Sequence, residues 1–210
     1  MVILGLTGSI GMGKSVAAGM FAHAGALVFD ADAEVHRLTG PGGRAVAAVE
    51  AAFAGSTRDT LGGAAVDRAV LGQQVFGDSA ATRRLEAILH PLVGQARTRF
   101  LQRATRRRAR LVVVDIPLLF ETGGERRCDA VAVVWAPHFL QARRVLGRPG
   151  MTPQRLAAIR AQQMPDHEKR RRADFEVPTG LGRAFTLRRV RRIVTMLGRS
   201  PGGAKPIEGR

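Results

Sequence analysis

The run Gly8-Ser9-Ile10-Gly11-Met12-Gly13-Lys14-Ser15 fits the pattern G-x-x-x-x-G-K-[ST] and follows directly on the apolar run Val2-Ile3-Leu4-Gly5-Leu6. A buried strand, a glycine-rich turn and then a helix form a phosphate cradle. Backbone N–H groups converge on the anion, and the positive end of the helix reinforces them. Lys14 adds a full charge against the terminal phosphates and is one of only three lysines in a chain that otherwise uses arginine. The Ser15 hydroxyl can hold Mg²⁺. The bland alternative, a strand-to-helix turn without a ligand, is disfavoured because strand, turn and helix come in the right order.

The rest of the chain continues the alternation. Leu27-Val28-Phe29 reads as a second strand ending in Asp30-Ala31-Asp32, and Leu111 to Val114 and Ala130 to Trp135 are continuous apolar runs of the kind that form strands buried on both faces. Phe175-Glu176-Val177 is a short last strand. Helices are expected over 14–24, 44–53, 66–75 and 187–197, and across the basic segment 137–174. Leu85, Ile88, Leu89, Leu92, Val93, Ala96 and Phe100 recur at steps of three and four, one apolar stripe of a helix. Pro91 interrupts that stripe, so a junction is expected at His90-Pro91, with the proline opening a new helix. This alternation predicts an α/β fold, a parallel sheet with helices on both faces.

The 210 residues suit one domain with insertions, and 45% hydrophobic residues allow a sizeable core. A formal net charge of +16 suggests nucleic acid. Against that, the arginines scatter along several helices. The densest run, 103–110, lacks the interleaved aromatics of a base-stacking surface, and no specific nucleic-acid partner is expected. The single cysteine, Cys128, excludes internal disulfides and Cys-based zinc. With no basic leader and no apolar segment of membrane-spanning length, the chain is expected to be soluble and cytoplasmic, without a membrane partner. The tail 199–210 is Gly/Pro-rich and expected to be disordered, and its final Ile207-Glu208-Gly209-Arg210 matches a protease-site linker.

Ligands of open parallel sheets bind at the carboxyl ends of the strands. The phosphate loop, Asp30/Asp32 and Asp115 to Glu121 all fall there. Two residues apart in an extended segment share a face, so Asp30 and Asp32 could both point into the cleft. One of them would accept the proton of an acceptor hydroxyl, and the other would cap the helix starting near Ala33. Asp115 is either a metal-supporting acid or a turn residue. Arg144 and Arg148, four apart, would share one helical face and close over the phosphates.

Taken in order, these residues resemble the dephospho-coenzyme A kinase family. Leu6 to Ser15 resembles its L-T-G-G-I-G-S-G-K-S, Asp30-Ala31-Asp32 its D-A-D, Leu89-His90-Pro91-Leu92 its L-H-P-L, and Pro117-Leu118-Leu119-Phe120-Glu121 its P-L-L-F-E. Arg148 to Thr152 is similar to its R-D-G-M-[ST], and Gln163-Met164-Pro165, Glu168-Lys169-Arg170 and Ala173-Asp174-Phe175 to its closing segments. Ser9, Met12, Val16 and Pro149 depart from the usual residues, as does Glu176 to Gly180.

The resemblance implies a three-layer P-loop kinase fold with a five-stranded parallel sheet, a helical substrate-binding insertion over about 40–105 and a helical lid over about 138–172. It implies ATP-dependent phosphorylation of the ribose 3′-hydroxyl of dephospho-CoA. Gly8 and Gly11, Met12, Gly13, Lys14, Ser15 and Val16 would bind ATP, with Ser15 on Mg²⁺. Asp32 would be the general base, with Lys14 and the lid arginines Arg144 and Arg148 as its catalytic partners. His90, Pro117, Leu118, Leu119 and Glu121 would line the acceptor site with Asp32, in a monomer or weak homo-oligomer. The competing expectation is another small-molecule or nucleoside monophosphate P-loop kinase.

Overall fold

The computed structural model describes residues 1–199, so the sequence-predicted disordered tail lies almost wholly outside the described residues. The chain forms two compact units, one from residues 1–29 with 104 onward, the other from 30–103.

The first unit is built on five strands: β1 (Val2–Thr7), β2 (Leu27–Asp30), β5 (Leu111–Asp115), β6 (Ala130–Trp135) and β7 (Phe175–Pro178). They form one parallel sheet in the order β2-β5-β1-β6-β7. The phosphate loop thus leaves the central strand. Alternation along the strands sorts the side chains by face. Leu4 and Leu6 of β1 and Ala132 and Val134 of β6 join Ala17 and Phe21 of α1 (Lys14–His23) and Val190 and Ile193 of α9 (Arg183–Arg199) in one core. On the opposite face Val131 packs with Leu119 and Phe120, against Met164 and Ala173 at the two ends of α8 (Asp166–Arg172). The result is the expected three-layer arrangement, and every strand read from the apolar runs is present.

Between β6 and β7 the basic segment resolves into three helices: α6 (His138–Leu146), α7 (Pro153–Ala161) and α8. Thr152 caps α7 by accepting from the Arg155 N–H, with Pro153 at the first helical position. α6 ends at Leu146, so Arg148 lies beyond it. This corrects the expectation that Arg144 and Arg148 share a helical face. Gly147 is the C-terminal cap, and the Pro149-Gly150 pair breaks any continuation.

The second unit holds α2 (Ala31–Thr39), α3 (Val46–Ala52), a two-stranded antiparallel hairpin of β3 (Thr57–Arg58) and β4 (Ala65–Val66), α4 (Arg68–Val75) and most of α5 (Ser79–Arg106). Its core gathers Leu38, Val46, Val49, Phe53, Val66 and Leu71. The hairpin is absent from the sequence reading, which placed Val66 in a helix. Asp67 explains the difference, because its carboxylate caps α4 from outside through the N–H groups of Ala69 and Val70.

The expected break at Pro91 is not there, and α5 runs 28 residues through it. An interior proline forfeits one helical hydrogen bond and crowds the preceding turn, at about 3 kcal/mol relative to alanine. The helix continues because Leu85, Ile88, Leu89, Leu92 and Val93, on both sides of the proline, pack against a single core. Burial of that stripe at roughly 25 cal/mol per Å² outweighs the local defect. Pro91→Ala should therefore raise the midpoint of urea or thermal unfolding by up to about 3 kcal/mol in stability. A lower midpoint would mean that the proline relieves strain in α5.

Candidate active site

Two glycines show why the phosphate loop needs them. Gly13 stands just before α1 with φ 90° and ψ 24°, a left-handed conformation costly for other residues. At Gly8 a Cβ would come 2.6 Å from the Val134 carbonyl oxygen, so the loop could not lie this close to β6. Beyond Gly13, the first-turn N–H groups of Lys14, Ser15 and Val16 have no partners within the helix, and no acidic side chain sits in that turn. The loop presents donors and positive potential to an anion.

Lys14 Nζ lies 2.5 Å from Asp115 Oδ1. The parallel register pairs Leu6 with Asp115, which sets this carboxylate at the strand ends beside the loop, 2% exposed. Asp115 is therefore more than a turn residue: its carboxylate pairs with the loop lysine.

The loop backbone is held from three sides. Thr179 Oγ1 donates to the Met12 carbonyl at 2.6 Å. Gln141, wholly buried, donates from Nε2 to the Ile10 carbonyl at 2.8 Å, while the Ile10 N–H donates to Gln163 Oε1 at 3.2 Å. Ser9 donates its hydroxyl to Asp166 Oδ1 at 2.5 Å. Arg144 adds bonds to the Thr179 carbonyl (2.8 Å) and hydroxyl (3.0 Å), and lies 3.4 Å from the Gly11 carbonyl oxygen. Met12, which replaces a serine of the family pattern, is buried in the main core, and its sulfur accepts from the Ala136 N–H. The side chains of Thr179, Gln141 and Gln163 carried no local signal of these contacts. Only the family-like Q-M-P segment pointed toward one of them.

The P-L-L-F-E segment follows β5. Thr7 Oγ1 donates to the Pro117 carbonyl at 2.9 Å, tying this segment to the end of β1. Leu118 is exposed, but Leu119 is fully buried under β6. Leu119 therefore does not line an acceptor site as expected; the apolar cluster around Val131 takes its side chain. Glu121 is likewise committed. Its Oε1 lies 2.8 Å from Lys169 Nζ, a fully buried ammonium, and accepts from the Met164 N–H at 2.8 Å. Burial alone pushes the Glu121 carboxyl up, but the Lys169 ammonium and the Met164 N–H together hold it below the ordinary carboxylate range.

In the second unit, Asp30 ends β2 and caps α2, accepting from the Ala33 N–H at 2.9 Å. Asp32 is the second residue of α2, exposed, and its carboxylate has no hydrogen bond or ion pair among the described residues. The extended-segment argument for a shared face is thus corrected: one aspartate caps the helix and the other lies inside its first turn. His90 is exposed midway along α5.

A model of the dephospho-CoA kinase family matches residues 2–179. A protein named dephospho-CoA kinase from Paramagnetospirillum magneticum is 62% identical over 209 residues, all of this chain and 96% of that one. The chain belongs to the dephospho-CoA kinase family. Among solved structures, TT1252 from Thermus thermophilus superposes with a TM-score of 0.78 at 33% identity, covering 93% of this chain and 96% of that one. A dephospho-CoA kinase from Campylobacter jejuni shares the fold, with a TM-score of 0.64 at 21% identity over 94% and 98% of the two chains. Family membership makes the chain an ATP-dependent kinase that works with Mg²⁺.

The residues present fit that ion. Ser15 is exposed at the start of α1 and offers a hydroxyl oxygen without a partner among the described residues, and hard Mg²⁺ takes one or two protein oxygens with phosphates and waters. No described helix is long and apolar enough to cross a membrane.

The Glu121–Lys169 pair carries a pH signature. The folded-state pKa of Glu121 lies below its unfolded value, so the pair's stabilisation is complete above about pH 4.5 and fades as pH falls through the lower folded value. In urea titrations from pH 7 to 3, Glu121→Gln should flatten part of that acid limb. Lys169→Met should cost several kcal/mol, on the order of 3–5, by leaving a carboxylate in a largely buried site. The double variant should recover part of that loss. Equal acid limbs in wild type and Glu121→Gln would show that the pair is not linked to folding.

Proposed function

We propose that the chain transfers the γ-phosphoryl group of ATP to the ribose 3′-hydroxyl of dephospho-CoA, giving CoA and ADP. The observation that carries this reading is the family match over residues 2–179, which spans the P-loop together with the D-A-D and L-H-P-L segments. Those segments speak for the acceptor, whereas the P-loop alone is common to many kinases.

The N–H groups from Gly11 to Val16 bind the phosphates, aided by the N-terminus of α1. Lys14 turns from Asp115 to the β- and γ-phosphate oxygens, so its ammonium trades one anionic partner for another. Ser15 would hold Mg²⁺, which would supply positive charge against the ATP phosphates. Asp32, without a hydrogen-bond or ion-pair partner among the described residues, accepts the proton of the 3′-hydroxyl and aims its oxygen at the phosphorus. Arg144, already bonded to Thr179 beside the loop, and Arg148, on the exposed segment after α6, neutralise the transferring group. His90, Pro117 and Leu118 contact the acceptor, while Leu119 and Glu121 support that segment from behind. The same reading has the chain acting as a monomer or weak homo-oligomer in the cytoplasm, without a nucleic-acid partner. The arginines of the run 103–110 are exposed on the last turn of α5 and the residues after it, a solvated helix terminus.

An acceptor panel tests the reading. With Mg-ATP, ADP release should depend on dephospho-CoA and exceed release with nucleoside monophosphates or shikimate by orders of magnitude, and Lys14→Met should abolish most of it. Preference for another acceptor would refute the assignment, and near-normal turnover by Lys14→Met would refute a catalytic P-loop.

A further inference from the structure

A cavity of about 390 Å³ opens at the carboxyl end of β6, within the first unit, and Ser9 of the P-loop is part of its wall. Around it stand Trp135, His138, Arg160, His167 and Arg170. The chemistry of this wall is one-sided. Arg160 is half-buried, its terminal nitrogen donates to the neutral amide oxygen of Gln141, and no carboxylate lies within ion-pair distance of it among the described residues. Arg170 pairs with Glu176 at 2.9 Å and lays its guanidinium 3.9 Å from the centre of the Trp135 ring. The Nε of Arg160, the Nε of Arg170 and the indole N–H of Trp135 are all enclosed without a hydrogen-bond partner among the described residues. The carboxylate in the wall, Asp166, already accepts the Ser9 hydroxyl.

Three enclosed donors and a guanidinium with only a neutral partner leave hydrogen-bonding capacity in this wall that the described residues do not satisfy. An anion satisfies it, because a guanidinium fork binds phosphate oxygens with short, charge-assisted hydrogen bonds. We propose that this cavity is a binding subsite for a phosphate or diphosphate group, with Arg160 as its principal cation and Arg170 and Trp135 drawn in beside it. The enclosed N–H groups require the side chains to turn, and Arg160 does so by exchanging Gln141 for the anion. Gln141 also holds the Ile10 carbonyl, so occupancy of the subsite is felt directly by the P-loop backbone. The source of the phosphate group, donor or acceptor, rests on the kinase reading; the existence of the subsite does not.

Trp135 is the chain's single tryptophan, so intrinsic emission reports on this cavity. The full-length protein, with Mg²⁺ and a saturating non-hydrolysable ATP analogue, is titrated with inorganic pyrophosphate at constant ionic strength. A saturable change in Trp135 emission is expected. Its apparent affinity should weaken at least tenfold in Arg160→Gln and hold in Arg171→Gln, which removes an exposed charge from α8. Competition by dephospho-CoA would assign the subsite to the acceptor's diphosphate. An Arg160-dependent change with the ATP analogue alone, leaving none for pyrophosphate, would assign it to the donor. Should Arg160→Gln melt below the assay temperature, Arg160→Lys keeps the charge, loses the fork and should show a smaller weakening. The proposal is overturned if pyrophosphate, the ATP analogue and dephospho-CoA all leave Trp135 emission unchanged. It is equally overturned if the change has the same midpoint in wild type and Arg160→Gln. Neither result depends on turnover, so a failed kinase assay would not be mistaken for a failed subsite.

Discussion

The pair of Lys14 and Asp115 is the contact on which the P-loop arrangement depends. A lysine at the start of a helix sits against that helix's own positive end, an unfavourable place for a cation with no anion nearby. The parallel register of β1 and β5 brings Asp115 level with Leu6 and supplies the anion. Lys14 is thereby held beside the N–H groups that the loop and the start of α1 present. A neutral residue at the end of β5 would leave the lysine to solvent and the loop less ordered.

Around this pair the loop is fixed by side chains from distant parts of the chain. Thr179 follows β7, Gln141 stands on α6, and Gln163 and Asp166 flank the start of α8, yet all four bond within Ser9 to Met12. A second set of bonds links the same turn to the loop after β5, through Met164 and Lys169 to Glu121. The turn between α7 and α8 thus touches both the donor loop and the P-L-L-F-E segment. Such shared supports hold reacting groups in register, where small displacements cost large factors in rate.

Much of this was legible in the residues because its signals are local. The P-loop pattern, the apolar strand runs and the amphipathic stripe of α5 each follow from neighbours in sequence. What escaped was decided by partners far along the chain. Pro91 reads as a helix start until the packing on both sides of it is known. Leu119 reads as a site residue until β6 is laid over it. Glu121 and Lys169, 48 positions apart, give no hint of each other. Asp30 and Asp32 were indistinguishable as cap and free acid, since either can cap a helix whose first residue is not known within two positions. One hydrogen bond, from the Ala33 N–H to Asp30, separates them.

That separation exposes the central claim, that Asp32 is the base of a dephospho-CoA kinase, to a direct measurement. Steady-state kcat and the ATP dissociation constant are determined for wild type, Asp32→Asn and Asp30→Asn. Asparagine caps helices about as well as aspartate, so Asp30→Asn should stay near wild type in both. Asp32→Asn should lower kcat by roughly 10²–10⁴-fold with ATP binding unchanged. A kcat near wild type in Asp32→Asn, or a larger loss in Asp30→Asn, would contradict the account.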